Sequence, residues 1–87
     1  MEWQEIGFIL KSKNRLKVLE LLNEKPQNPS SIAKTLDDHR STISKIVGEL
    51  ERKGMAKCLT PEDKTFRLYR ITKKGKETLE CTPKMDS

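Results

Sequence analysis

Few residues of this 87-residue chain are of a type that could carry covalent or metal chemistry. The chain has one histidine, His39, and two cysteines, Cys58 and Cys81. A zinc site or a catalytic nucleophile needs several such groups at short, regular spacings, which these three do not have. Tyr69, a further potential nucleophile, has no acidic metal-binding cluster beside it. We therefore expect no enzyme activity, no cofactor and no metal ion.

Basic and hydroxyl side chains form a second group, whose spacing suits binding rather than catalysis. Apolar residues recur at i, i+3, i+4 and i+7 within residues 40–53, and this period predicts an amphipathic helix with an inward face of Ile43, Ile46, Val47 and Leu50. The opposite face then presents Arg40, Ser41, Ser44, Lys45 and Gly48, with Thr42 at its edge. No acidic residue lies between Arg40 and Gly48, whereas an ordinary solvated face would mix Glu with Lys.

The net charge of +5 is concentrated in one segment of the chain. Residues 1–51 carry eight Lys or Arg and eight Asp or Glu, whereas residues 52–76 carry nine Lys or Arg and two Asp or Glu, a net charge of +7. Such an excess favours a polyanion, because bound phosphates release their condensed counterions. A merely solvated surface is the alternative, and a membrane is less suited because the segment has no apolar face.

Length and composition indicate one small domain without an insulated cavity. Hydrophobic residues make up 33% of the chain and charged residues 36%. No apolar stretch reaches the roughly 18 residues of a membrane span, and the N-terminus is acidic where a signal peptide would be basic. We therefore expect a cytoplasmic protein, with a folded domain over residues 1–80 and a disordered tail over residues 81–87.

Capping residues and periodicity predict the order of the elements. A helix over residues 3–10 is followed by a second one capped by Ser12 and by a short helix, Pro29 to Leu36, capped by Asn28. The amphipathic helix comes next and stops at Gly54. Two β-prone runs, 56–59 and 66–72, flank a polar loop, and Thr72 caps a last helix that extends to about residue 80. The predicted fold is α+β, with a β-hairpin attached to a helical core.

A short helix, a three-residue turn and a longer helix with an apolar inner face form a helix-turn-helix arrangement. With the hairpin and the last helix, the chain resembles the winged helix-turn-helix transcription regulators of bacteria and archaea, of the ArsR and MarR type. The resemblance covers about residues 10–79. It rests on the stretches Asn14-Arg15-Leu16-Lys17-Val18-Leu19-Glu20-Leu21-Leu22, Ser31-Ile32-Ala33-Lys34-Thr35-Leu36, Arg40-Ser41-Thr42-Ile43-Ser44-Lys45, Leu50-Glu51-Arg52-Lys53-Gly54-Met55 and Tyr69-Arg70-Ile71-Thr72-Lys73-Lys74-Gly75.

The chain departs from this family at two places. The turn holds Asp37, Asp38 and His39 where the family has a glycine, an apolar residue and a Ser or Thr cap. We expect Asp37 to adopt the left-handed conformation and Asp38 to cap the next helix one residue early. The metal-sensing cysteine motif of the ArsR proteins is absent.

The resemblance implies a sequence-specific regulator that binds double-stranded DNA. Its recognition helix would enter the major groove with Arg40, Ser41, Thr42, Ser44 and Lys45, because these side chains can donate to base edges or phosphates. The basic hairpin, or wing, and the helix after it would hold the phosphate backbone through Lys64, Arg67, Arg70, Lys73, Lys74 and Lys76. Cations in the first turn of a helix oppose its dipole, so a nearby phosphate would explain Lys73 and Lys74. Gly75 has a phosphate-linked explanation and a close-packing one, and both stay open.

The N-terminal segment indicates a homodimer. Its five apolar residues, Trp3, Ile6, Phe8, Ile9 and Leu10, exceed what one face of an eight-residue helix can bury, and related regulators dimerise through this element. A helix that only crosses the domain's own core is the alternative. Two further functions also remain open, a winged-helix protein-interaction module and a module that binds RNA or an unusual duplex.

Overall fold

Five helices and one antiparallel hairpin make up the part of the chain that a computed structural model describes, residues 3–63 and 67–82 without the side chains of Trp3 and Glu5. In chain order they are α1 Trp3–Leu10, α2 Lys13–Glu24, α3 Pro29–Leu36, α4 Arg40–Arg52, β1 Ala56–Cys58, β2 Tyr69–Ile71 and α5 Lys73–Cys81. This order confirms the predicted α+β, winged helix-turn-helix architecture.

Three helices begin at the side-chain caps that the sequence predicts. The Ser12 hydroxyl accepts from the amide of Arg15 at 3.4 Å, and the Asn28 side chain accepts from the amide of Ser31 at 2.7 Å. The Thr72 hydroxyl accepts from the amide of Gly75 at 3.1 Å. Each cap satisfies an amide that has no partner inside its helix, so the starts of α2, α3 and α5 are set locally.

The end of α4 is a Schellman motif built on Gly54. Gly54 has φ 77°, its amide donates to Glu51 O at 3.0 Å, and the amide of Met55 donates to Leu50 O at 2.9 Å. Met55 and Leu50 are both fully buried, which supplies the apolar contact that accompanies this motif. The helix itself ends at Arg52, one residue before the predicted end.

The turn between α3 and α4 confirms one expectation and corrects another. Asp37 adopts the left-handed conformation with φ 53° and ψ 50°. Asp38 does not cap α4 as expected, since His39 occupies the cap position without a side-chain cap bond and the helix begins at Arg40. The Asp38 carboxylate instead accepts from Asn14 Nδ2 at 2.9 Å and from the amide of His39 at 2.7 Å. This contact with Asn14 draws Asp38 toward α2 and away from the first turn of α4.

The core lies around α2, which packs against α1, α3, α4, β2 and α5. On α2, Val18, Leu19 and Leu22 are buried, while Leu16 and Leu21 are half-buried at the margin of this face. The large apolar side chains with less than 2% exposure are those of Ile9, Val18, Leu19, Leu22, Ile32, Ile43, Val47, Leu50 and Met55.

Both strands of the hairpin are shorter than the predicted runs 56–59 and 66–72. In addition, β2 has a neighbour on its other side that the sequence did not predict. β1 and β2 pair antiparallel with Ala56 opposite Ile71 and Cys58 opposite Tyr69. Gln27 adds a bridge on the other side of β2, because its amide and carbonyl both bond to those of Tyr69 at 2.9 Å. A single residue between two X-Pro pairs has no periodicity, so the sequence could not predict this bridge. Phe66, in the predicted second run, lies outside the described residues.

Ordered structure continues beyond residue 80. The last helix reaches Cys81, which had been expected in the tail, and the hydroxyl of buried Thr82 donates to Thr78 O at 2.7 Å. Residues 83–87, the rest of the predicted tail, lie outside the described residues.

At Gly75, α5 comes close to Met55 and Ile71, at the two ends of the hairpin. A Cβ added to it would lie 2.5 Å from Met55 O and 2.7 Å from Ile71 Cγ1. The same carbonyl of Met55 accepts from the amide of Thr72 at 3.0 Å, so it cannot move away without losing a bond. The structure therefore supports the close-packing explanation for this glycine.

We expect Gly75→Ala to lower the free energy of unfolding by about 1–3 kcal/mol, the usual cost of overpacking. Gly7→Ala is the matched control, because nothing lies within 4 Å of its added Cβ and alanine is favoured over glycine in a helix by about 0.5–1 kcal/mol. Urea denaturation would measure both variants. Equal effects of the two substitutions would contradict the close-approach explanation.

Candidate nucleic-acid interface

The residues predicted to enter a groove share the solvent face of α4. Four apolar residues of this helix, Ile43, Ile46, Val47 and Leu50, are buried. The five candidate side chains are exposed, namely those of Arg40, Ser41, Thr42, Ser44 and Lys45. Because one face is fixed against the core, these donors all lie on the surface that remains.

The first acidic residue of α4, Glu49, is paired. Glu49 Oε2 lies 3.0 Å from Arg15 Nη2, in a salt bridge whose side chains are 24% and 21% exposed. Gly48, half-buried on the same helix, leaves room beside it, since an added Cβ would meet only Arg52 Nη2 at 3.9 Å. The helix surface from Arg40 to Gly48 is therefore cationic and polar, and its last turns leave space for a close backbone approach.

The proposed wing residues fall on three separate places. Arg70 lies in β2, Arg67 just before it, and Lys73 in the first turn of α5, and all three are exposed. Lys76 is also exposed, on α5. Lys64 lies outside the described residues. The described basic residues of this segment therefore lie on and just before β2 and in the first turns of α5.

Lys57 is a candidate that the sequence analysis missed. It is exposed on β1 and pairs directly with Arg70 on β2, so that two cations face each other across the strands. Like charges in opposite positions destabilise a sheet. Because Lys57 is a polar residue between two apolar ones, the sequence could have indicated that it is exposed. Only the strand register shows that the residue opposite Lys57 is another cation, Arg70.

Tyr69 influences the ionisation of Arg67, whose side chain is exposed. A hydrogen bond with the tyrosine side chain, followed by electrostatic attraction to the same group, raises the pKa of Arg67 above its ordinary value. An arginine side chain is charged near neutral pH in any case, so the charge of Arg67 is available to an anion.

Lys74 has a structural neighbour that the sequence did not reveal. A Cβ added to Gly54 would lie 3.8 Å from Lys74 Nζ and 3.6 Å from its Cδ. Gly54 follows the C-terminal end of α4, where the helix dipole favours a cation. The dipole of α4 can therefore account for Lys74 without a phosphate. For Lys73, the unfavourable interaction with the dipole of α5 remains unexplained by the fold.

Within residues 3–63 and 67–82, no group of three or more His, Cys, Asp or Glu is placed to hold a metal ion. Cys58 is buried in β1, and His39 is exposed. None of the described helices has the length and apolar character needed to cross a lipid bilayer.

Solved structures share this fold at low sequence identity. S. aureus MepR, solved as a complex with DNA, has 21% identity and a TM-score of 0.72 over 88% of this chain and 65% of that one. BldR from Sulfolobus solfataricus, a transcriptional regulator, has 24% identity and a TM-score of 0.73 over 88% and 57%. The homodimeric winged helix-turn-helix domain of Mb0332 from Mycobacterium bovis, described as a possible ArsR-family regulator, has 22% identity and a TM-score of 0.72 over 88% and 70%. The ArsR and MarR resemblance is therefore confirmed for the fold.

The chain is shorter than several of these proteins. It spans about half the length of AdcR from Streptococcus pyogenes, 52% of that chain, with 17% identity and a TM-score of 0.70. No curated protein matches the sequence.

One family model covers nearly the whole sequence. The model describes the HVO_A0261 N-terminal domain and matches residues 3–85, a span that includes every helix and strand of the described structure. The chain belongs to the HVO_A0261 N-terminal domain family.

Proposed function

We propose that this protein binds double-stranded DNA sequence-specifically and regulates transcription. In this proposal α4 enters the major groove and the basic segment lies along the phosphate backbone. The observation that carries it is the solvent face of α4, where five exposed donors from Arg40 to Lys45 are accompanied by no acidic residue.

The dimensions and chemistry of α4 suit a groove. Its 13 residues form a rod about 20 Å long and about 10–12 Å across, which matches a major groove about 12 Å wide. Arg40 stands at the start of the helix, the end from which recognition helices contact bases. Its guanidinium can donate two parallel bonds to guanine O6 and N7, while Ser41 and Ser44 can reach base edges or phosphates.

The basic segment suits a contact that does not depend on sequence. Lys57 and Arg70 repel each other across the hairpin, and Lys73 opposes the dipole of α5. A phosphate beside either position would turn an unfavourable arrangement into a favourable one. The complex of S. aureus MepR with DNA supports the proposal, because a protein of this fold binds DNA there.

We also propose a homodimer through α1. Ile6 and Ile9 are buried in the domain's own core, and Phe8 is half-buried, so fewer apolar residues remain for a partner than the sequence suggested. Leu10 is 43% exposed at the end of the helix. Homodimerisation of the Mycobacterium bovis domain supports the proposal, and a two-fold dimer would place half-sites roughly 34–36 Å apart.

The recognition helix is tested with a duplex selected from a random library and with a random-sequence duplex. We expect Arg40→Ala to weaken binding to the selected duplex by about 1–3 kcal/mol and to the random duplex much less, because it removes a base contact. Fluorescence anisotropy would measure both affinities. Lys25→Ala, which removes an exposed cation at the end of α2, is the control and should leave the difference unchanged. Failure of the library to enrich any sequence would contradict specific recognition.

The phosphate contacts are tested through the salt dependence of binding. We expect Arg67→Ala and Lys73→Ala to weaken binding similarly on both duplexes and to lower the slope of log affinity against log salt by about 1 each. Lys74→Ala should do the same, with its unfolding free energy measured alongside because of its neighbour Gly54. If all three variants kept the wild-type affinity and slope, the wing would have no place in binding.

The homodimer is tested at Leu10. We expect Leu10→Glu to convert a dimer into a folded monomer, because it places a charge in an apolar contact. Leu59→Glu is the matched control, since Leu59 has nearly the same exposure, 42%, but lies beside the hairpin. Light scattering would report the mass of each. A wild-type monomer at high micromolar concentration would rule out the dimer.

A further inference from the structure

Arg15, on α2, joins the end of α1 to the C-terminal half of α4. Its Nη1 donates to Phe8 O at 3.1 Å, and its Nη2 donates to Glu49 Oε2 at 3.0 Å. The guanidinium carbon also lies 4.1 Å from the centroid of the Phe8 ring. One side chain therefore contacts the backbone and ring of α1 and a carboxylate of the candidate recognition helix.

The ring of Phe8 receives a second cation from the end of α4. Lys53 Nζ, just after that helix, lies 5.3 Å from the ring centroid. Cation–π contacts at such distances are attractive, and they strengthen as the groups lose contact with water. The last turn of α1 is thus linked to α4 at two places, at Glu49 through Arg15 and at Lys53 directly.

The two ends of α4 are held by adjacent residues of α2. Asn14 donates to Asp38 in the turn before α4, and Arg15 donates to Glu49 three turns later. The planar guanidinium directs its donors along fixed lines, so a bond to Phe8 O and a bond to Glu49 restrict the distance between α1 and α4. Lysine, with a single ammonium on a flexible chain, could not impose the same restriction.

We propose that Arg15 is a positioning residue for the recognition helix, and that it makes the placement of α4 depend on the placement of α1. This proposal rests on the proposed function, because the position of α4 matters only if its exposed face binds DNA. Binding groups act well only when held within about 0.5 Å of their productive geometry. A displacement of α1 changes where Phe8 O and the Phe8 ring lie, and Arg15 transfers that change to Glu49.

The test compares Arg15→Met, Arg15→Lys and Phe8→Leu with a control, Lys17→Met, that removes an exposed cation two residues along the same helix. Two quantities are measured in the full chain. The first is the set of NMR amide shifts of residues 41–45 in the free protein, at least one turn from Glu49. The second is the ratio of affinities for the selected and the random duplex.

We expect Arg15→Met and Phe8→Leu to move the amide shifts of residues 41–45 and to lower the affinity ratio by about three- to tenfold. Arg15→Lys should give a smaller change of both, because it keeps the charge opposite Glu49 but lacks the rigid, planar set of donors that fixes two bonds at once. Lys17→Met should change neither quantity. Should Arg15→Met fail to fold, Arg15→Lys and Phe8→Leu decide the question.

A residue that only stabilises the domain would lower the unfolding free energy and leave the amide shifts and the affinity ratio as in the wild type. That result for Arg15→Lys and Phe8→Leu would overturn the proposal. A wild-type protein that binds all duplexes equally would instead contradict the proposed function, and the amide shifts of the free protein would still decide whether Arg15 positions α4.

Discussion

Burial of one stripe on α4 is the constraint on which the rest of this domain depends. Ile43, Val47 and Leu50 are almost completely removed from water, and each contributes about 1.5–3 kcal/mol through that burial. Rotation of the helix about its axis would expose them and place Arg40 or Lys45 against the core. The helix therefore has one stable orientation, in which its polar face is exposed to solvent.

Met55 connects this helix to the elements that follow it. The Schellman motif at Gly54 turns the chain so that Met55 is buried directly beneath the end of α4. Its carbonyl accepts from Thr72, at the end of the hairpin, and is approached closely by Gly75 in α5. The hairpin and α5 are thus attached to one residue, and the basic segment keeps a defined position relative to α4.

The basic segment contains two local conflicts with stability. Lys57 opposes Arg70 across the strands, and Lys73 lies at the positive end of a helix dipole, each at a cost of a few tenths of a kcal/mol or more. Other charges agree with the fold: Glu49 is paired with Arg15, and the side chain of Lys74 lies beside Gly54, just after the C-terminal end of α4. Because natural sequences are mostly consistent with their folds, the pairing of Lys57 with Arg70 favours a role for this surface outside folding.

The sequence alone determined the order of the elements and the inward face of α4. Ser12, Asn28, Thr72 and Gly54 act on backbone groups within a few residues, and the 3.6-residue period places side chains on a helix without reference to anything distant. Only the tertiary structure decided the rest. The Gln27 bridge, the pairing of Lys57 with Arg70, the close approach at Gly75 and the position of Asp38 beside Asn14 all join segments far apart in the chain. Such contacts depend on how the elements pack in space, and local propensities carry no information about that packing.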